Sequence, residues 1–183
     1  MTATHDKSDA IDFLQTQHSE IRDLMERVER EAGEEKAELF QCLVRLLAVH
    51  ETAEEEVVHP EARQSDLAGR VVDARVGEEG KAKQMLADLE EMGVHDPSFD
   101  TNFAVFRAAV LEHAENEESL EFPMLRDAHD EAVLTRMTTE LKAAEAIAPT
   151  HPHPHGPDGP IGNLVVGPFL AVADRVRDAI RRV

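Results

Sequence analysis

Apolar residues recur along most of this chain at intervals of three and four, the spacing of a helix packed on one side. The first such stretch runs from about Asp9 to Arg30, with Ile11, Leu14, Ile21 and Met25 on one face and Ser8 or Asp9 available as its N-cap. The second, about Glu34 to His59 after a turn at Gly33, carries Leu39, Leu43, Leu46, Leu47 and Val57. The third, about Leu67 to Met92, carries Val72, Val76 and Leu86 and stops at Gly93. The fourth, about Phe99 to Phe122, carries Phe106, Ala109, Val110 and Leu120, with Met124 just beyond. Four helices of similar length with short joins predict an all-α, up-down-up-down four-helix bundle. Two additional C-terminal helices follow, about 130–148 and 163–181, on either side of a His/Pro-rich loop at 149–160 that cannot be helical. They have too little apolar surface to stand alone. The expected organisation is a frayed N-terminus (1–8), the bundle (9–125), and an extension (126–183) packed on it.

The polar residues that interrupt these apolar faces are the informative ones. Wound at about 100° per residue, Glu54 falls roughly 40° from His50, inside the stripe formed by Leu39, Leu43, Leu46 and Val57. His113 and Glu117 repeat the spacing on the apolar face of the fourth helix, and Pro60 and Pro123 follow at matching distances, where each is expected to end its helix. A single H-x-x-x-E arises easily by chance in an acidic chain, but two copies on apolar faces, each closed by a proline, do not. A histidine and a carboxylate aimed into a core each need a strong partner there, and a metal ion supplies one. His18 lies on the facing stripe of the first helix, and Glu79 in the middle of the third. For Glu79 the competing reading is a half-exposed side chain paired with Lys83 one turn on. His59 counts to about 180° from His50, on the solvent side.

Composition narrows the picture. The chain has 183 residues and 38 acids against 19 bases, a formal net charge of −19. That charge disfavours nucleic acid and anionic membranes as partners. No apolar run approaches a membrane span, and no signal peptide is legible. The single Cys42 fits a reducing compartment and reads as a packing residue, so a cytoplasmic location is expected. Of the ten histidines, His5, His95 and His129 fall at the terminus or in turns. His151, His153 and His155 alternate with prolines and read as a solvated loop.

The inward set His18, His50, Glu54, His113 and Glu117 resembles the H…H-x-x-x-E…H…H-x-x-x-E pattern of the haemerythrin-like family, the HHE cation-binding domains, over about residues 9–125. The tail is similar to that of bacterial members with an extra helix pair. The resemblance implies a carboxylate-bridged, non-haem di-iron centre, with Glu54 and Glu117 bridging and His18, His50 and His113 as terminal ligands. The donor chemistry agrees: imidazoles and carboxylates suit iron or manganese, and there is no cysteine set for structural zinc. One departure stands out. Where the family has a histidine on the third helix, this chain has Gly80, a residue that costs a helix interior about 1 kcal/mol relative to Ala. Three readings compete: Glu79 substitutes, Glu51 adds a carboxylate beside His50, or the second metal is weak or absent.

Two functional classes follow. One is a binding or sensing protein for O2, NO, peroxide or iron itself, in redox sensing or stress response, as a monomer or weak dimer. The other is an enzyme that decomposes hydrogen peroxide at a redox-cycling di-iron pair. A metal serving only as a folding clamp is the third reading.

Overall fold

The computed structural model describes residues 8–63 and 69–152. The expected sixth helix and residues His5, His153 and His155 lie outside the described residues. Within them the chain is all-helical: α1 (Ala10–Arg30), α2 (Gly33–Ala53), α3 (His59–Ala62), α4 (Gly69–Met92), α5 (Phe99–Asn116), α6 (Phe122–Ala128) and α7 (Glu131–Ile147). A five-residue π-helical turn joins α2 to α3 (Glu54–Val58), and another joins α5 to α6 (Glu117–Glu121). A side-chain cap sets the start of α1 and a glycine the end of α4. Asp9 caps α1 by accepting the backbone N–H groups of Ile11 and Asp12, each at 3.0 Å, and Asp12 accepts back from Asp9 N–H at 3.3 Å. Gly93, at φ 76°, turns the chain out of α4 while its N–H bonds Leu89 O at 2.9 Å.

α1 packs on α2, α2 on α4, α4 on α5 and α5 back on α1, which closes a four-helix bundle. α7 lies against α1, α2 and the first π turn. It buries Leu134, Met137, Leu141 and Ala144, the line its apolar spacing predicts. The interior divides into two apolar clusters. One holds Leu14, Val58, Val72 and Phe122; the other holds Ile21, Leu47, Ala82 and Val110 together with the rings of Phe40, Phe99, Phe103 and Phe106. Each buried Leu, Val or Phe contributes about 1.5–3 kcal/mol by leaving water, which offsets the cost of the polar layer between the clusters. On all four bundle helices the chain passes from one cluster to the other, and at each crossing it carries His18, His50 with Glu54, Glu79, or His113 with Glu117.

The prolines do not end the helices. α3 runs on to Ala62 and α6 to Ala128, each with its proline near the start. In an uninterrupted α-helix the ring of Pro60 would meet the carbonyl four residues back. The widened turn absorbs this: His59 N–H bonds Glu54 O and Phe122 N–H bonds Glu117 O, five residues apart instead of four. Each π turn therefore holds one extra residue, and everything beyond it lags an ideal helix by about 100°. Glu121 moves to roughly −20° from His113 by this count and is buried, while Leu120 moves outward and is 50% exposed. His59 swings from the expected solvent side to about 80° from His50 and is 2% exposed. Cys42 is exposed rather than packed.

Candidate metal centre

His18, His50, Glu54, Glu79, His113 and Glu117 come together in the middle of the bundle, all buried. Their donor atoms form two overlapping groups, His18–His50–Glu54 and Glu54–Glu79–His113–Glu117, in each of which they lie within 4.8 Å of one another. Glu54 belongs to both. Glu117 also spans the two: Oε2 is 3.3 Å from His18 Nε2, and Oε1 is 3.4 Å from His113 Nε2. His50 Nε2 stands 3.3 Å from Glu54 Oε2. Yet His18 Nε2, His113 Nε2, Glu79 Oε2 and all four oxygens of Glu54 and Glu117 are buried without a well-formed hydrogen bond. Buried polar atoms are ordinarily satisfied. A convergent set of orphaned nitrogens and oxygens fits a cation placed among them.

Behind each histidine stands a second partner. His18 Nδ1 bonds Glu118 Oε1 at 2.8 Å, with the Arg22 guanidinium on the same oxygen. His50 Nδ1 bonds Gln17 Oε1 at 2.9 Å, and His113 Nδ1 bonds Glu78 Oε2 at 3.1 Å. All three rings thus donate Nδ1–H outward and leave Nε2 facing the cluster, the arrangement of a metal-ligating imidazole.

Comparison with known proteins agrees. The Hemerythrin HHE cation binding domain family matches residues 9–125. The chain belongs to that family. It is 26% identical to an uncharacterized hemerythrin-like protein of Schizosaccharomyces pombe over 74% of this chain and 68% of that one. It is also 25% identical to a DNA nickase of a Nostoc species over 74% of this chain, but spans only 38% of that protein's length. Among solved structures, a Hemerythrin HHE cation binding domain-containing protein of Mycobacterium kansasii shares the fold, with a TM-score of 0.67 at 19% identity, covering 75% of this chain and 88% of that one.

On α4 the chain has Gly80 where the resemblance implies a histidine. Gly80 is exposed, and a Cβ there would meet no atom within 4 Å. The gap expected at Gly80 therefore does not open onto the centre. Glu79 fills the inward position instead, fully buried. Lys83 does not pair with it but bonds Glu55 Oε1 at 2.7 Å. Glu51 is buried beside the centre but contributes no donor atom to either group. Two side chains that the helical count places elsewhere also reach this layer: His59 Nε2 lies 2.6 Å from Glu79 Oε1, and His59 Nδ1 lies 3.4 Å from Glu121 Oε1. The proline that follows so closely on each H-x-x-x-E, with apolar residues continuing beyond it, is the sequence signal for the widened turns that bring them in. Among the remaining histidines, His95 is exposed, while His151 is buried with Nδ1 2.7 Å from Glu90 Oε1 rather than solvated.

Crowding sets the protonation states of the metal-free HHE centre. Burial, then the charges of Glu117, Glu79 and Glu121, hold Glu54 well above the usual carboxylate range. Burial opposes ionisation of Glu117, but His113 and His18 outweigh it and hold its carboxyl low. Burial also pulls His113 down, yet Glu117, Glu79 and Glu51 raise it to about 10. His59 is likewise raised to about 10, its bonds to Glu121 and Glu79 outweighing burial. Burial and the neighbouring His18 hold His50 down at about 3. Burial lifts Glu51 to about 8 against the pull of Lys83.

Proposed function

We propose that this protein is a non-haem iron protein whose centre takes up a small oxidant or gas, O2, NO or peroxide, in redox sensing or stress response. His18, His50, Glu54 and Glu117 would hold one ion, and Glu54, Glu79, His113 and Glu117 the other, with both Glu54 and Glu117 shared. The observation that carries this reading is the convergence of buried, unpartnered donor atoms from four helices. When bound, iron supplies a Lewis acid and a reversible electron acceptor.

The protein's own residues supply access and protons. A cavity of about 10 Å³, room for one water-sized molecule, adjoins His18, His50 and His113 and is walled by Leu47, Val110 and Glu51. Its apolar wall admits a small uncharged molecule and keeps bulk water out. Glu51, holding its proton at neutral pH, stands on that wall as a carboxylic acid able to bond a guest or give it a proton. That feature favours peroxide decomposition as the second reading. The DNA nickase likeness suggests no nucleic-acid partner, since a net charge of −19 repels phosphate backbones.

The test is metal analysis of the purified protein, an optical spectrum, and exposure of the same sample to O2, NO and peroxide. Iron that loads in wild type and is mostly lost in Glu54→Ala, with a spectrum that responds to one of these molecules, is the expected result. Iron that loads but responds to none of them would leave only a folding clamp. Measurable peroxide turnover selects the enzymatic reading over reversible binding.

A further inference from the structure

The two halves of the bundle repeat each other: His50 and His113, Glu54 and Glu117, and Pro60 and Pro123 are each 63 residues apart. By the same offset His59 is the mate of Phe122, each buried and each set inward by a π turn. Phe122 stacks on the ring of His18, with centroids 5.6 Å apart and planes 18° from parallel. On the other side of the repeat, Glu79 of α4 joins His113 and Glu117 as His18 of α1 joins His50 and Glu54, and His59 lies against it. The polar and apolar members of the pair have changed character together: a histidine backed by a phenyl ring in one half, a glutamate backed by a histidine in the other.

The distances say what His59 does there. Two donor atoms held at about 2.1 Å from one ion, at right angles, stand roughly 3.0 Å apart. The pairs His18–Glu117, His50–Glu54 and His113–Glu117 stand 3.3, 3.3 and 3.4 Å apart, leaving room for an ion. His59 Nε2 and Glu79 Oε1 stand at 2.6 Å, the distance of a strong direct hydrogen bond. Glu79 Oε2 is left buried without a partner. On the far side of the ring, Glu121, 1% exposed, accepts from Nδ1 at 3.4 Å.

Resting on the metal reading above, we propose that His59 is a positioning residue. It donates Nε2–H to Glu79 Oε1 and fixes that carboxylate so that Oε2 serves as the α4 ligand in place of a histidine, while Glu121 fixes the imidazole from behind. The chain thus retains an imidazole on that side of its centre, moved one step outward from the ion.

The experiment is anaerobic titration of the full chain with Fe2+ against a competing chelator, reading the affinity of the most weakly held equivalent, with far-UV circular dichroism as the check on folding. His59→Leu should weaken that equivalent by about 10–100-fold. His59→Gln, whose amide N–H reaches the same oxygen, should recover most of the loss. In a Glu79→Ala background His59→Leu should cost nothing further, because its route to the ion is already gone. Should the leucine variant fail to fold, His59→Asn, whose shorter amide stops short of Glu79, takes its place with the same expectation. The d–d bands of the Co2+-loaded protein should coincide in wild type and His59→Gln. Shifted bands, or a loss of similar size with Glu79 absent, would make His59 a direct ligand and overturn the proposal. Wild-type loading with unchanged affinity in His59→Leu would overturn it as well, leaving the metal reading intact. A wild-type chain that takes up no Fe2+ overturns both.

Discussion

His50 is held by a residue outside both donor groups. Its Nδ1–H is accepted by Gln17 Oε1, and the Gln17 amide in turn donates to Glu145 Oε1 at 2.5 Å, on α7. His18 and His113 lean on carboxylates, Glu118 and Glu78, whereas His50 leans on a neutral amide. That choice suits the surroundings, since His50 is the ring that burial and His18 hold neutral. An amide fixes its tautomer without adding a further charge to a layer already rich in glutamates. It also ties the extra helix to the centre, since α7 reaches His50 through a single intermediary. Replacing Gln17 with Leu strands the buried Nδ1–H and frees the ring to turn. Metal affinity should fall by about 10–100-fold with little change in helix content, as read by chelator competition alongside circular dichroism. Unchanged affinity would mean that packing alone, including the edge contact with the His18 ring at 5.1 Å, sets the orientation of His50.

The widened turns govern the element scale. Each begins at a glutamate whose oxygens reach the centre, Glu54 or Glu117, and each ends just before a proline. If the turn exists to host the proline, removing its extra residue should be costly only while the proline remains. Deleting Glu56, which belongs to neither donor group, restores ordinary helical spacing and leaves His59 facing inward. It also puts the Pro60 ring against a carbonyl. The deletion alone should therefore destabilise by roughly 3 kcal/mol, and Pro60→Ala on top of it should recover most of that in a denaturant melt. Equal costs with and without Pro60 would assign the widening to the site rather than to the proline. The same turns mark the limit of what was legible in the amino-acid pattern. His18, His50, Glu54, Glu79, His113 and Glu117 all lie before a widened turn, at its first residue, or on helices that have none, and the 100° count puts each on its inner face. His59 lies beyond one, and Leu120 and Glu121 lie at the end of the other; the count assigns the outward side to His59 and the inward side to Leu120, the reverse of what the structure shows. A helical wheel carries no information about an inserted residue. A proline within a continuing apolar pattern does, because an ordinary helix cannot accommodate it without a break or a bulge.

For the molecule as a whole, the centre is a polar layer between two apolar clusters, and its stability and metal affinity respond to pH in opposite senses. In the metal-free protein His113 and His59 are both raised to about 10, and Glu51 to about 8. Unfolded, the histidines lose their protons near 6.5 and the glutamate near 4.3. The folded chain therefore binds more protons than the unfolded one between pH 7 and 8.5, and metal-free stability falls as pH rises, by about 1.4 kcal/mol per pH unit for each such proton. His50, held at about 3, acts in the other direction, but its contribution is complete once pH passes the unfolded value near 6.5. With the ligands proposed above, metal binding requires His113 and the raised Glu54 to give up their protons, so uptake should release protons and strengthen as pH rises. Bound metal at 100 times its Kd adds about 2.7 kcal/mol of stability, and that margin grows as the competing protons become scarcer. The gap in Tm between Fe2+-loaded and metal-free protein, measured anaerobically at fixed free metal, should therefore widen from pH 7 to pH 8.5. Both forms should lose Tm over that range, the metal-free protein faster, because His59 and Glu51 keep their raised affinity for protons in either form while metal displaces those of His113 and Glu54. A gap that stays constant or narrows over that range would mean that the ligands are already deprotonated in the metal-free fold, and that the glutamates do not share charge with the histidines as their burial and spacing require.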